Sequence, residues 1–172
     1  MADMPDGRIS ALIRASIFVR DLERATNFYR QLGLSDTYYE GVLDDPSASS
    51  ILGYTTHRPL EVRIVKRPGP NYGMIGLFKL DAELGCDMVP AAAGPARIGE
   101  VALVFYVRSM AEALAGARTA GATWSPEPEV FRMAHREQPE VCLRDCDGVL
   151  LNLIETDPQE QEQLRPDLDQ VG

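Results

Sequence analysis

Several things are scarce in this chain of 172 residues, and each scarcity excludes something. Histidine occurs twice, at His57 and His135, and cysteine three times, at Cys86, Cys142 and Cys146. The cysteines are odd in number and scattered, which suits a reducing cytoplasm better than a disulfide scaffold. Cys142 and Cys146 are close in sequence, but no second Cys/His pair stands near them to complete a zinc site. No apolar run approaches the roughly 20 residues that span a bilayer, and the first ten residues are polar and acidic, unlike a signal peptide. Clustered lysine and arginine are missing too. The formal charge of −9 argues against a nucleic-acid partner, whose phosphates need cations. Nothing resembles a phosphate-cradling glycine loop, a nucleophile elbow or a Ser/His/Asp set. What remains is ordinary for a soluble protein: 45% hydrophobic and 25% charged residues, enough for one domain or two fused half-domains.

The most informative stretch runs from Arg14 to Gly33. Residues 11–19 alternate as a strand, with Ile13, Ala15, Ile17 and Val19 on one face and Arg14, Ser16 and Phe18 on the other. Asp21 can cap the helix that follows, and Glu23 suits its positive end. Leu22, Ala25, Phe28, Tyr29 and Leu32 recur at helical spacing, which makes Phe28 and Tyr29 core or interface residues. Gly33 supplies the left-handed stop. A weaker copy follows 88 residues on: Val107-Arg108 answers Val19-Arg20, Ala113 answers Ala25, and Gly121 answers Gly33. There Ser109 and Glu112 form a capping box.

Further strands are expected at 35–43, 50–55, 60–66 and 73–80 in the first half. The second half should hold strands at 100–107, 129–134, 139–144 and 149–155. Turns fall at Asp44-Asp45-Pro46-Ser47, around His135-Arg136, and at Asp145-Cys146-Asp147-Gly148. The chain thus divides into a leader (1–10), a first module (11–82), a linker rich in Ala, Pro and Gly (83–99), a second module (100–156) and an acidic tail (157–172). Each module reads as a strand, a helix and about three strands.

This repeated pattern resembles the vicinal oxygen chelate superfamily, which holds glyoxalase I, extradiol dioxygenases, fosfomycin-resistance enzymes and bleomycin-binding proteins. The matching words are Val19 to Ala25 with Phe28-Tyr29 and Leu32-Gly33-Leu34, then Ala120-Gly121-Ala122, and Asp145-Cys146-Asp147-Gly148 before the last strand. The resemblance implies an α+β fold of two tandem βαβββ modules whose mixed β-sheet forms a cup. Metal-dependent members carry His and Glu or Gln ligands on the first and last strand of each module. The family's words place Arg14, Lys79, Ala102 and Asn152 at those four positions. A divalent cation prefers carboxylates and imidazoles and is repelled by cations. The expectation is therefore that the inherited metal site is absent and that no cofactor is needed.

Alternation along the strands lines the implied cup with Arg14, Ser16 and Phe18, then Leu77 and Lys79. Ala102, Val104 and Tyr106 follow, with Leu150, Asn152 and Ile154. The substrate-binding set expected from this lining is Arg14, Ser16, Phe18, Lys79, Val104, Tyr106 and Asn152. Arg14 and Lys79 either anchor an anionic ligand or pair internally with Glu61, Glu100 or Glu155. Glu61 or Glu100 could serve as a general base if burial raised its pKa, though each sits at a strand start where a solvated carboxylate is commoner. The two histidines fall in loops, where most are idle. Cys142 is expected to face a sheet interior, and Asp145 and Asp147 to form a turn. The leading expectation is a cytoplasmic protein, homodimeric as the family implies, that holds a small organic molecule without metal. It either binds only or performs an isomerase- or lyase-type step. The alternatives are a metal-dependent lyase or dioxygenase using displaced ligands such as His57 and His135, and a non-catalytic association module.

Overall fold

The computed structural model describes residues 12–81, 95–133 and 136–159. The chain divides into two compact units, residues 1–87 and 88–172. The leader, Cys86, His135, most of the linker and most of the acidic tail lie outside the described residues.

In unit 1 the order is β1 (Arg14–Val19), α1 (Leu22–Gln31), β2 (Asp36–Leu43), α2 (Pro46–Ile51), β3 (Leu60–Lys66) and β4 (Met74–Lys79). The sheet order is β1-β4-β3-β2, with β1 parallel to β4 and the other pairs antiparallel. Helix α1 starts where the Asp21 carboxylate accepts the Arg24 amide at 2.9 Å. It ends at Gly33, whose φ of +100° only glycine adopts cheaply, and Leu34 N–H closes onto Tyr29 C=O at 3.1 Å. Ala25, Phe28 and Tyr29 are fully buried on the sheet side of α1, above Ile17 and Val19. The Phe28 and Tyr29 rings meet edge-on at 5.1 Å.

The strand expected at 50–55 is not formed. Its place is taken by α2, which Asp45 caps through Ser47 N–H at 2.9 Å and Pro46 opens. The Ser49 hydroxyl is buried and bonds both the amide and the carbonyl of Arg58. That bond fixes the path into β3. Ile51, which falls within that expected strand, is 82% exposed.

In unit 2 the order is β5 (Ala102–Val107), α3 (Met110–Thr119), β6 (Thr123–Trp124), β7 (Glu129–Met133), β8 (Arg136–Arg144) and β9 (Leu150–Glu155). Its sheet runs β5-β9-β8-β6, and β7 also pairs with β8. The two short strands β6 and β7 lie along different stretches of β8, separated by a segment carrying Pro126 and Pro128. β8 is longer than expected and already includes Arg136. α3 is capped by Ser109 and stopped at Gly121, with φ +90° and an Ala122-to-Ala117 closure of 2.9 Å. Its buried residues Met110, Leu114 and Ala117 face the side of the sheet that carries Leu151 and Leu153. The fold class is therefore the expected α+β pair of β-α-β-type modules. No helix among the described residues is long and apolar enough to cross a membrane.

Candidate functional site

The face of unit 1's sheet opposite α1 is set by register. Arg14 pairs with Met74, Ser16 with Gly76 and Phe18 with Phe78, so these six share one face. From β3, Val62 and Ile64 join them through Phe78 and Gly76. Leu60, Val62, Ile64, Met74 and Phe78 form a buried apolar cluster. Arg14, Ser16 and Phe18 stand exposed at its margin because β1 is the end strand of the sheet. The Phe18 and Phe78 rings lie 5.7 Å apart at 44°, and the Arg14 Cζ sits 5.8 Å from the Phe78 ring centre. Gly76 leaves room for this: a Cβ there would lie 2.7 Å from Arg14 Cδ. Among the described residues, Arg14 makes no ion pair with a carboxylate.

Lys79 and Leu77 are not on that face, contrary to the expectation from the sequence. Their register partners are Val19 and Ile17, which are buried toward α1. The physical reason is that β4 is apolar on both faces, so alternation carries no sign of which way a residue points. Leu77 is fully buried beneath α1. Lys79 bonds Glu61, which holds the Lys79 ammonium above its ordinary pKa. Of the two roles open to Lys79, the internal pair is the one formed.

On this α1 side a cavity of about 540 Å³ surrounds the start of the helix, lined by Asp21, Glu23, Glu40, Glu61, Arg63 and Lys79 among others. Arg63 is only 6% exposed. Its guanidinium donates to Thr26 Oγ1 at 3.1 Å, to Glu23 at 2.8 Å and to Glu40. These bonds hold the Glu23 and Glu40 carboxyls below the usual carboxylate range. Of the cations lining this cavity, Arg63 and Lys79 are thus already engaged by carboxylates. A smaller cavity of about 230 Å³ shares Glu61 and Lys79 and reaches His57. That histidine is bonded to Asp44 at 2.9 Å.

In unit 2 the face away from α3 carries Ala102 opposite Leu150, Val104 opposite Asn152, and Tyr106 opposite Ile154. Val104 is 57% exposed, and Tyr106 and Asn152 are half-buried. The Asn152 amide donates to Val141 C=O at 3.4 Å. Cys142 pairs with Asn152 on this face and is exposed rather than turned into a sheet interior, while Cys146 is buried. The reason is again register, since Val141 and Leu143 fill the interior positions of β8.

Glu100 does not have the raised pKa that a general base here would need. It forms a two-pronged, buried ion pair with Arg144, which also donates to Gly148 C=O at 2.9 Å. The bond from Arg144 holds the Glu100 carboxyl below its ordinary range. Glu155 accepts the Met110 amide at the start of α3. Asp145 forms the expected turn: its carboxylate accepts the amides of Asp147 and Val149, both at 2.9 Å.

The donor set does not fit a metal. Arg14, Lys79, Ala102 and Asn152 include one weak oxygen donor, and Lys79 faces α1. Phe78, the β4 residue that does share the Arg14 face, supplies no ligand atom. Among the described residues, no three of His, Cys, Asp and Glu come together where they could hold a metal ion.

Sequence reasoning missed Gly76, Met74 and Phe78 as companions of Arg14. The available signal was the glycine inside an otherwise apolar strand, which marks a close approach.

The architecture defines a class. Two β-α-β-type modules with these sheet orders have the fold of the glyoxalase, bleomycin-resistance and dioxygenase superfamily. A glyoxalase family protein from Bacillus cereus superposes with a TM-score of 0.65 at 20% identity, over 90% of this chain and 97% of that one. A glyoxylase/bleomycin resistance protein/dioxygenase domain from Frankia sp. EAN1pec gives 0.54 at 19% identity, over 85% and 97%. A variant of glyoxalase I from Zea mays also gives 0.54, at 15% identity, over 85% of this chain and 44% of that chain. No protein-family model and no curated protein matches the sequence.

Proposed function

We propose that this chain binds a small organic anion on the unit 1 sheet face opposite α1, with Arg14 as its anchor and without a metal ion. The observation that carries this reading is the state of Arg14. It is an exposed guanidinium on an aromatic margin, with no ion-pair partner among the described residues. A guanidinium is permanently charged and offers a planar fork that matches a carboxylate or phosphate. Ser16 and Phe18 beside it supply a hydroxyl and an apolar wall. Separately, on unit 2's own face, Val104, Tyr106 and Asn152 are proposed as binding residues, offering a hydroxyl and an amide among apolar groups. The fold supports the reading, because bleomycin-resistance proteins and glyoxalases share it. A homodimer is part of the proposal, and sedimentation of the purified chain checks it.

The test is a thermal-shift screen of carboxylates, phosphates and their neutral analogues, with and without EDTA. A compound that binds only the folded state stabilises it by about 2.7 kcal/mol at a hundred times its Kd. Anionic compounds should raise the melting temperature of the wild type with EDTA present and lose that effect in Arg14→Ala. Equal shifts in the variant, or shifts that vanish with EDTA, would sink the proposal.

A further inference from the structure

Resting on that reading, we infer that the Arg14 face takes a planar aromatic carboxylate, and that Gly76 is the residue that positions Arg14 to hold it. Two observations define the ligand class. The first is the guanidinium placed 5.8 Å from the Phe78 ring centre. The second is Phe18, an aromatic ring 43% exposed and tilted against Phe78 at 5.7 Å. A cation and an exposed ring side by side recognise a carboxylate attached to a ring better than either an aliphatic acid or a neutral arene.

Gly76 comes in through what it lacks. Its position on β4 lies opposite Ser16, next to both Arg14 and Phe78 on the same face. A Cβ built there lies 2.7 Å from Arg14 Cδ, 3.2 Å from Arg14 Nε and 3.1 Å from a Phe78 ring carbon. The arginine stem therefore lies across the sheet in the space that any other residue would fill. Gly76 is not among the glycines with positive φ, so the strand backbone accepts alanine. The atoms in the way belong mainly to a flexible side chain that can swing off. Gly76→Ala should therefore keep the fold and move the anchor.

The experiment titrates benzoate and its neutral counterpart benzamide into the wild type, Gly76→Ala, Arg14→Ala and the double variant. The wild type should prefer benzoate to benzamide and to hexanoate. Gly76→Ala should weaken benzoate by about tenfold to a hundredfold, the scale of one charge-assisted contact, and leave benzamide nearly unchanged. In the Arg14→Ala background the same glycine change should cost no further affinity, because the two residues act as one.

If Gly76→Ala melts below the wild type, the titrations are run at a temperature at which circular dichroism shows every variant folded. The Arg14→Ala background then separates loss of the anchor, whose penalty disappears there, from a general loss of binding, whose penalty persists. The inference is overturned in four cases: benzoate fails to bind the wild type; hexanoate binds as well; Gly76→Ala binds benzoate normally; or its penalty persists without Arg14. In all four the anion-binding reading survives, provided that other anions in the screen still depend on Arg14. If none does, that reading falls first.

Discussion

The direction in which β4 presents its side chains decides which residues can meet a ligand, and Leu77→Ala tests it. Leu77 is fully buried and shares its face with Ile17 beneath α1, whose Ala25, Phe28 and Tyr29 are equally inaccessible. Truncation there removes buried methyl groups and leaves a void that surrounding backbone and helix cannot fully close. Leucine-to-alanine changes in such sites cost about 2.7–5 kcal/mol, made up of lost transfer energy and the cavity. For a chain of 172 residues each kcal/mol moves the melting temperature by about 2–4 °C, so even the lower bound predicts a drop of roughly 5 °C or more. Thermal and urea melts followed by circular dichroism measure this directly. Leu77 would behave differently as the wall of a ligand site. Its truncation would then leave stability nearly intact and alter affinity. A loss below about 1 kcal/mol would contradict the face assignment and restore Lys79 to the ligand side.

Three further outcomes follow from the same geometry. Lys79→Met should leave anion binding and the melting temperature almost unchanged, since the Lys79–Glu61 pair is partly solvated and faces α1; calorimetry and titration check both. Asp145→Ala should destabilise by about 1–3 kcal/mol for each amide it orphans, those of Asp147 and Val149, as read from urea midpoints. The Glu100 carboxyl has a lowered pKa in the folded state, so unfolding takes up protons as the solution is acidified. Its stabilisation is present above the ordinary carboxylate pKa and disappears as pH falls through the lowered folded-state value. Glu100→Gln should flatten that part of the melting-temperature profile between neutral and acid pH. An unchanged acid limb would mean the Glu100–Arg144 pair contributes nothing to it.

Helices α1 and α3 were legible because their ends are written in single residues. Asp21 and Ser109 start them, and Gly33 and Gly121 stop them, as the sequence suggests. β1 was legible because its two faces differ: Ile17 and Val19 against Arg14, Ser16 and Phe18. β4 was not, because Met-Ile-Gly-Leu-Phe reads the same in either orientation, and the placing of Lys79 on the ligand face came from the family's words and not from the strand's own pattern. The segment after β2 misled for another reason. Asp45 and Pro46, read there as part of a turn before a strand at 50–55, set a helix start instead. The Arg144–Glu100 pair joins residues 44 positions apart, and only the fold brings them together.

All three helices among the described residues end through the same short device. Gly33, Gly53 and Gly121 turn left-handed, and the next amide closes back onto a main-chain carbonyl, Leu34 to Tyr29, Tyr54 to Ser49 and Ala122 to Ala117. Nothing in these closures consults a side chain beyond the absent one of glycine. A stop built this way is indifferent to what mutation does around it, so the surrounding letters can be rewritten almost entirely while the chain still reverses at the same point.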